Sequence, residues 1–346
     1  MRARALVREL AAGAVVLDAG CGTGAHLADL LPPSGGTVIG TDLSAGMLKF
    51  ARIGGARQVR LVQSDLRSLP FVAGAFDAVF ARNSLVHTDS CEVPLLLAGW
   101  HRAMAAEARL AASFAVARGA SERFSVVDDD MGDRTFIGWE EERLHDVVVG
   151  AGFEDVVVEP SDGFVHWVSA RRGRTLPDVV GAGMRLLVCG LNPSLRAADA
   201  GVGFVTAGNR FWPAALATGL VTTDRSPVAA LGDHGIGFTD IVKRATPRAD
   251  ALRACEYRAG LARIERLVRW LQPGAIVFVG LAGWRAAVDR RAVAGVQPQD
   301  LGGVPVYVMP STSGLNAATP LSALADHLAA ATDLADAVRP PTARGP

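Results

Sequence analysis

This 346-residue sequence has few lysines, and it lacks long hydrophobic runs and clustered cysteines. No apolar run reaches the roughly 18 uncharged residues that a membrane-spanning helix needs. The basic start, residues 1–10, leads into AAGAVVLD, which contains an early acid, Asp18, and shows no signal-peptide cleavage pattern. We therefore expect a cytoplasmic protein with no membrane partner.

The four cysteines, at positions 21, 91, 189 and 255, are too far apart to form a C-x-x-C pair. This spacing argues against a disulfide framework, an iron–sulfur cluster and a cysteine metal site, so no metal is expected. Lysine occurs only as Lys49 and Lys243 among 35 basic residues. We interpret this preference for arginine as codon bias rather than as a functional signal.

Length and composition fit two globular domains, at roughly 150 residues per domain. Half of the residues are hydrophobic and 20% are charged, which excludes intrinsic disorder. A polar stretch, RRGRTLP, separates two strand-like segments. We expect a first domain at 1–172, a linker at 173–183, a second domain at 184–336 and a disordered tail at 337–346.

The formal net charge of zero conceals an asymmetry between the halves. Up to Gly173 the chain has 17 basic and 22 acidic residues, and after it 18 basic and 13 acidic residues. A basic second half is typical of a domain that binds a polyanion, because phosphate contacts supply much of the affinity for nucleic acid. Uneven surface charge without any partner explains the same numbers, so the charge alone does not decide.

In the first half, short β-branched runs alternate with helical stretches, which predicts a doubly wound α/β sheet. The expected strands cover residues 15–18, 37–41, 60–63, 76–81, 110–116, 156–159 and 164–170. The first strand ends in LDAGCGTG, whose glycines allow a sharp turn into a helix and a close approach to a ligand. The second strand leads to Asp42, where a carboxylate can accept both hydroxyls of a ribose.

These residues closely resemble the class I S-adenosylmethionine-dependent methyltransferases, over about residues 10–170. The resemblance implies a Rossmann-like sheet with S-adenosylmethionine as cofactor. By position, the glycine turn would hold the methionine part of the cofactor, Asp42 the ribose and Asp65 the adenine amine. The implied cofactor-binding residues are Asp18, Gly20, Gly22, Gly24, Asp42 and Asp65.

The methyl acceptor is not assigned by the first half. The sequence has no Asn-Pro-Pro-Tyr, the signature of amino-methylating DNA enzymes. His87 and His101 are candidate proton acceptors, although a lone histidine is more often a surface or core residue. A cofactor-binding or degenerate scaffold without catalysis remains the alternative for this half.

The second half opens with the apolar run RLLVCG, which breaks into LNPS. A strand that ends in Gly-x-Asn-Pro directs an amide side chain out of a rigid turn. Further along come GNRFW at 208–212, GFTDIVKR at 237–244, an amphipathic helix at 253–271, a buried strand at 275–280, and PSTSGLN at 310–316 after a strand at 304–309. This order predicts a parallel sheet with site loops at the carboxyl ends of its strands.

Three of these motifs resemble the mismatch-specific uracil and thymine DNA glycosylases, the Mug/TDG branch of the uracil-DNA glycosylase superfamily, over about residues 184–332. The resemblance implies an α/β/α domain that acts on double-stranded DNA with G·U or G·T mismatches and needs no cofactor for this step. It implies that Asn192 positions the water that attacks C1′ and that Phe204 stacks on the extruded base. The implied base pocket also contains Gly190, Leu191, Pro193 and Asn209.

The loop after the last strand is implied to grip the DNA backbone and to fill the gap that the flipped base leaves. Ser311 and Ser313 suit phosphate contacts, and Leu315 suits the wedge. Gly314 and Asn316 complete this loop, with Asn316 placed to read the orphaned guanine.

Two adjacent basic residues, Lys243 and Arg244, either contact phosphate or face water, and the sequence favours neither.

The residue before Pro310 is Met309 rather than the histidine of the fastest uracil-excising branch, which fits the Mug/TDG branch. Because an amide such as Asn192 is a poor base, turnover is expected to be slower than in glycosylases with an aspartate at that position.

We therefore expect a base-excision-repair glycosylase that removes uracil or a related damaged pyrimidine from mismatched DNA, fused to a methyltransferase-like domain. Two other functions remain open. The chain could be a methyltransferase whose second domain only targets DNA, or a non-catalytic protein that binds DNA lesions.

Overall fold

The structure is a computed structural model that describes residues 2–53, 58–118, 122–125, 134–160 and 163–338. It divides into two compact units, Met1–Gly173 and Arg174–Pro346. Both units are α/β, as the sequence predicts. Within the described residues, no helix is both long and apolar enough to cross a membrane.

The first unit contains, in chain order, α1 (Arg2–Val7), β1 (Ala14–Ala19), β2 (Gly36–Asp42), α2 (Ala45–Ile53), β3 (Val59–Gln63), β4 (Phe76–Ala81), a 3₁₀ turn (Ser90–Glu92), α3 (Val93–Ala103), β5 (Met104–Val116), β6 (Arg123–Ser125), β7 (Thr135–Trp139), α4 (Glu141–Gly150), β8 (Phe153–Pro160) and β9 (Val165–Arg172). All seven strands expected from the sequence are present. The short strands β6 and β7 are additional, because neither has a long β-branched run to mark it.

The sheet of the first unit runs β3-β2-β1-β4-β5 with every pair parallel. β9 pairs antiparallel with β5, and β8 antiparallel with β9. β1 and β4 are almost wholly buried, which explains why they read as continuous apolar runs. This topology brings the carboxyl ends of β1, β2 and β4 to one edge, where an α/β sheet binds its ligands.

The second unit contains β10 (Leu186–Gly190), α5 (Leu195–Ala200), α6 (Phe211–Ala217), α7 (Pro227–His234), β11 (Ile236–Asp240), a 3₁₀ turn (Ala249–Ala251), α8 (Ala254–Leu271), β12 (Ala275–Val279), α9 (Leu281–Ala287), β13 (Gly295–Val296), β14 (Val306–Met309) and α10 (Leu321–Val338). Its sheet runs β11-β10-β12-β14-β13. The first four strands are parallel, as expected, but the two-residue edge strand β13 is antiparallel to β14.

The core of the second unit lies where the sheet meets α6 and α10. Phe211 and Trp212 of α6 are almost wholly buried there, beside strand residues such as Val188 and Val277. The indole N–H of Trp212 donates to the carbonyl oxygen of Gly203, 2.9 Å away, so this ring fixes the loop before α6 as well as the core.

The segment expected to be a linker, 173–183, packs against the second unit from Arg174 onward. Thr175, Asp178 and Val180 in this segment are buried. Val179 forms backbone hydrogen bonds with Phe238 in β11. At the other end, the tail expected at 337–346 begins inside α10, and residues 339–346 lie outside the described residues.

Candidate functional site

A cavity of about 180 Å³ opens in the second unit where β10, β11 and β14 end. It brings together all the residues that the sequence assigned to catalysis and to the base pocket: Gly190, Leu191, Asn192, Pro193, Phe204 and Asn209. Ser311 and Ser313 of the loop after β14 also line it. The cavity is smaller than the roughly 300–1,000 Å³ of sites for drug-sized ligands, which suits a single small ring.

The amide of Asn192 is held in one orientation. Its Nδ2 donates to the hydroxyl of Thr246 at 2.8 Å and to the carbonyl oxygens of Pro193 and Arg244, each at 3.1 Å. Two of these partners are carbonyl oxygens, which can only accept hydrogen bonds, so the amide atom that faces them must be the nitrogen. Oδ1 is left as the acceptor that can orient a water molecule at the cavity.

Phe204 lies at the cavity in a left-handed backbone conformation, with φ of 59°. Its ring stacks on Phe211, with ring centroids 4.3 Å apart and planes 23° apart. Phe211 belongs to the core, so the stack anchors Phe204. Asn209 accepts a hydrogen bond from the backbone N–H of Phe211 at 3.0 Å, which ties the cavity wall to the start of α6.

Asp240 is a second polar group at the cavity, and no sequence motif assigned it a role. It ends β11 and is the register partner of Gly190, which ends β10. Among the described residues, its carboxylate oxygens have no hydrogen-bond partner. Burial raises the pKa of Asp240 to about 6, so the carboxyl group is largely ionised at neutral pH and can still accept a proton.

The loop after β14 presents Leu315 to solvent with 97% of its surface exposed. Side-chain oxygens of Ser311 and Ser313 accept hydrogen bonds from the backbone N–H groups of Ser313 and Leu315. Asn316 donates to the carbonyl oxygen of Ser311 at 2.8 Å, and the added Cβ of a residue at Gly314 would lie 3.0 Å from a backbone oxygen. The loop is therefore closely held around an exposed apolar tip.

Arg210 fastens this loop to the cavity wall. Its guanidinium donates to the carbonyl oxygens of Ser313, Asn316 and Thr319. Its backbone N–H donates to the carbonyl oxygen of Thr312. Arg210 was part of a motif recognised in the sequence, but its role depends on contacts about one hundred residues away, which the motif does not contain.

The two basic residues with an open assignment have different surroundings. Lys243 does not face DNA from the surface, because its side chain is only 11% exposed and its Nζ lies 2.8 Å from the buried carboxylate of Asp178. Arg244 is at the surface and paired with Glu256, with Nε and Oε1 2.7 Å apart. Its carbonyl oxygen, rather than its charge, contacts Asn192.

The first unit has a larger cavity, of about 690 Å³, at the carboxyl edge of its sheet. Five of the six residues expected to bind cofactor line it: Asp18, Gly20, Gly22, Asp42 and Asp65. Gly24 does not line it. A Cβ on Gly24 would lie 2.8 Å from Leu27 and 3.0 Å from Ala51, so this glycine allows close packing against α2.

The three acids at this cavity have different partners. Asp42 accepts from the backbone N–H groups of Gly22 and Ser44, at 2.9 and 2.8 Å, and so links the glycine turn to β2. Asp65 is paired with Arg67, which lowers the pKa of its carboxyl group. Oδ2 of Asp18 is buried and has no hydrogen-bond partner among the described residues.

Of the two candidate histidines, only His87 lines this cavity. Its Nδ1 lies 2.7 Å from the carbonyl oxygen of Thr135, so Nδ1 carries a proton and Nε2 is the acceptor of the neutral ring. His101 is buried and bonded through Nε2 to the carbonyl oxygen of Gly173, which makes it part of the core.

Residues 16–107 match the family model described as a methyltransferase domain, and residues 177–335 match that of the uracil DNA glycosylase superfamily. The chain joins a methyltransferase domain to a uracil DNA glycosylase superfamily domain. The cavity with Asn192 and Asp240 lies in the glycosylase-superfamily domain, and the cavity with Asp18 lies in the methyltransferase unit.

The chain is also similar to solved methyltransferases. One, from Mesorhizobium loti, is 20% identical over 49% of this chain and 96% of its own, with a TM-score of 0.41. One from Methanosarcina mazei is 17% identical over 47% and 94%, with a TM-score of 0.41. The 1,6-didemethyltoxoflavin-N1-methyltransferase of Burkholderia thailandensis, solved with bound 1,6-didemethyltoxoflavin and S-adenosylhomocysteine, is 24% identical over 50% of this chain and 77% of its own, with a TM-score of 0.41.

The polar groups at the methyltransferase cavity that have no partner among the described residues, an acceptor on Asp18 and a hydroxyl on Ser84, fit S-adenosylmethionine. The unpartnered Oδ2 of Asp18 is a buried acceptor, and burial followed by the charge of Asp42 raises the pKa of Asp18 to about 7. A cationic ammonium group is a suitable partner for such a carboxylate. Ser84 Oγ, also at the cavity and without a partner in the described part of the chain, is a further donor.

Proposed function

We propose that the glycosylase-superfamily domain excises uracil, or a related damaged pyrimidine, from mismatched double-stranded DNA. The observation that supports this most is the pairing of an oriented amide, Asn192, with a carboxylate, Asp240, at one small cavity. The backbone joins the turns that carry them, since the N–H groups of Ile241 and Val242 donate to the carbonyl oxygens of Gly190 and Leu191 at 3.0 Å.

The chemistry begins with base flipping, because a base inside a duplex is out of reach. Phe204, held on Phe211, offers its ring to the extruded base. Leu315, exposed on a closely held loop, fills the gap in the stack. The Mug/TDG preference for G·U and G·T mismatches is part of this proposal. Asn316 would read the orphaned base through Oδ1, because its Nδ2 already donates to Ser311 and Thr319.

Asn192 and Asp240 divide the hydrolytic step. Oδ1 of Asn192 orients the water, whose oxygen bonds to C1′ while the N-glycosidic bond breaks and its electron pair leaves with the base. The proton of the water passes to Asp240, whose negative charge also stabilises the positive charge that develops on the sugar. Asp240 thus supplies the base that the amide of Asn192 cannot be, so slow turnover is no longer expected on that ground.

For the first unit, we propose that S-adenosylmethionine binds at the cavity, with its ammonium group at Asp18 and its ribose at Asp42. When bound, the cofactor supplies an electrophilic methyl group. Nε2 of His87 is placed to accept a proton from a methyl acceptor at this cavity. Asp65 already forms an ion pair with Arg67, so its carboxylate has to accept from Arg67 and from the adenine amine at the same time.

The test is excision from a labelled duplex with one G·U mismatch, followed by alkali cleavage of the abasic product. Wild type should cut this duplex, and Asn192→Ala and Asp240→Asn should each lose about 100-fold or more in single-turnover rate. Asp300→Asn, which changes an exposed acid of the same unit, should behave as wild type. A folded wild type that excises nothing from G·U, G·T or single-stranded substrates would favour a DNA-targeting or lesion-binding role instead.

A further inference from the structure

A cluster of charged side chains lies behind the cavity wall that carries Asp240. At its centre, the carboxylate of Asp178 is 3% exposed. It accepts from Arg263 at 2.6 Å, from the hydroxyl of Thr239 at 2.7 Å and from Lys243 at 2.8 Å. Two cations and one anion are thus packed next to the end of β11.

The same cluster fixes the backbone on both sides of Asp240. Arg263 donates to the hydroxyl of Thr239 at 3.0 Å and to the carbonyl oxygen of Asp240 at 3.1 Å. Beyond Asp240, the hydroxyl of Thr175 donates to the carbonyl oxygen of Lys243. The backbone around Asp240 is therefore held by Arg263 and Thr175, neither of which lines the cavity.

The balance of charge around Asp240 is positive. Burial raises the pKa of Asp240, the cations Lys243 and Arg263 lower it, and Asp178 raises it. Asp178 itself remains ionised, because the two cations outweigh its burial and lower its pKa. In the described part of the chain, Cys189 is a further titratable group close enough to interact with Asp240, and it is neutral because burial raises the pKa of its thiol.

We propose that Lys243 is a positioning residue of the excision reaction: with Arg263 and Asp178, it sets the pH at which Asp240 is a carboxylate that can accept the proton of the attacking water. This inference rests on the proposed glycosylase function. It places Lys243 in the interior rather than against phosphate or in water, and there its charge acts on the reaction through Asp240.

The test compares full-length Lys243→Met, Lys243→Arg and Asp178→Asn with wild type, by single-turnover excision from the G·U duplex between about pH 5 and pH 9. Loss of the cation in Lys243→Met should move the midpoint of the pH profile upward by about one unit. Lys243→Arg keeps the charge and should return the midpoint to that of wild type. Asp178→Asn should move it downward, because an anion near Asp240 is lost.

A second measurement does not need catalysis. The difference in unfolding free energy between each protein and its Asp240→Asn counterpart, followed against pH, reports the ionisation of Asp240 directly. If no protein excises uracil but these curves shift in the stated opposite directions, the proposed function fails and the charge role of Lys243 stands.

Opposite shifts support the proposal, because a general loosening of the fold would not move the two midpoints in different directions. Midpoints within about 0.2 pH units of wild type, or shifts of the same sign, would overturn it. Either variant alone is sufficient if the other does not fold, since each has its own predicted sign.

Discussion

Oδ1 of Asp240 lies 2.2 Å from the position that a Cβ on Gly190 would take. The two residues are partners in the last register pair of β10 and β11. The carboxylate therefore occupies space that only glycine leaves open at position 190. The glycine of the Gly-x-Asn-Pro turn is therefore needed for the acid on the neighbouring strand.

Replacement of Gly190 by alanine tests this relationship. Gly190→Ala should displace the carboxylate of Asp240 and lower single-turnover excision by about 100-fold, with about 1–3 kcal/mol of destabilisation from overpacking. Gly232→Ala is the control, because a Cβ there meets nothing within 4 Å. It lies in α7 and should match wild type in excision and be slightly more stable. Full activity of Gly190→Ala would show that the placement of Asp240 does not matter.

Asp240→Asn should make the protein more stable while it removes activity. The folded-state pKa of about 6 exceeds the ordinary value of 3.8, so the stabilising contribution of this group is complete below about pH 4 and is lost as pH rises through 6. Relative to wild type, the variant should gain about 3 kcal/mol at pH 8 and progressively less toward pH 4. Chemical denaturation at several pH values measures this, with Asp300→Asn as the control. A gain that does not depend on pH would contradict the assigned ionisation.

Leu315→Ala should impair excision from duplex DNA about tenfold or more and leave excision from single strands nearly unchanged. The reason is that only a duplex has a stack in which the removed base must be replaced. Leu321→Ala, at another partly exposed leucine of the same unit, is the matched control. Equal losses on both substrates would rule out the wedge.

S-adenosylmethionine should bind more tightly at about pH 7 than at about pH 5.5, by about tenfold, because its own ammonium group keeps its proton over this range. Its cationic groups favour the ionised form of Asp18, whose pKa is raised to about 7. Isothermal titration calorimetry in two buffers should also show proton release on binding. Asp18→Asn should weaken binding and abolish the pH dependence, whereas Asp155→Asn, an exposed acid in the same unit, should preserve both. Affinity independent of pH in wild type would place the ligand's cations elsewhere.

Local sequence was sufficient for most of the fold. Buried parallel strands such as β1 and β12 are continuous apolar runs, and glycines mark the turns that follow them. The strands β6, β7 and β13 were missed because none of them has a long β-branched run, and pairing rather than pattern makes them strands. β13 also shows that an edge strand can reverse direction without any signal in its own sequence.

The candidate site likewise contains residues that the sequence identified and residues that only the structure revealed. The sequence by itself placed Asn192, Phe204 and Leu315, because each lies in a short motif whose turn or loop is formed locally. Only the tertiary structure decided that Asp240 joins Asn192, that Arg210 holds the Leu315 loop, and that Lys243 points inward to Asp178. Burial, ion pairing and raised pKa values come from groups distant in the chain, so no local pattern contains them.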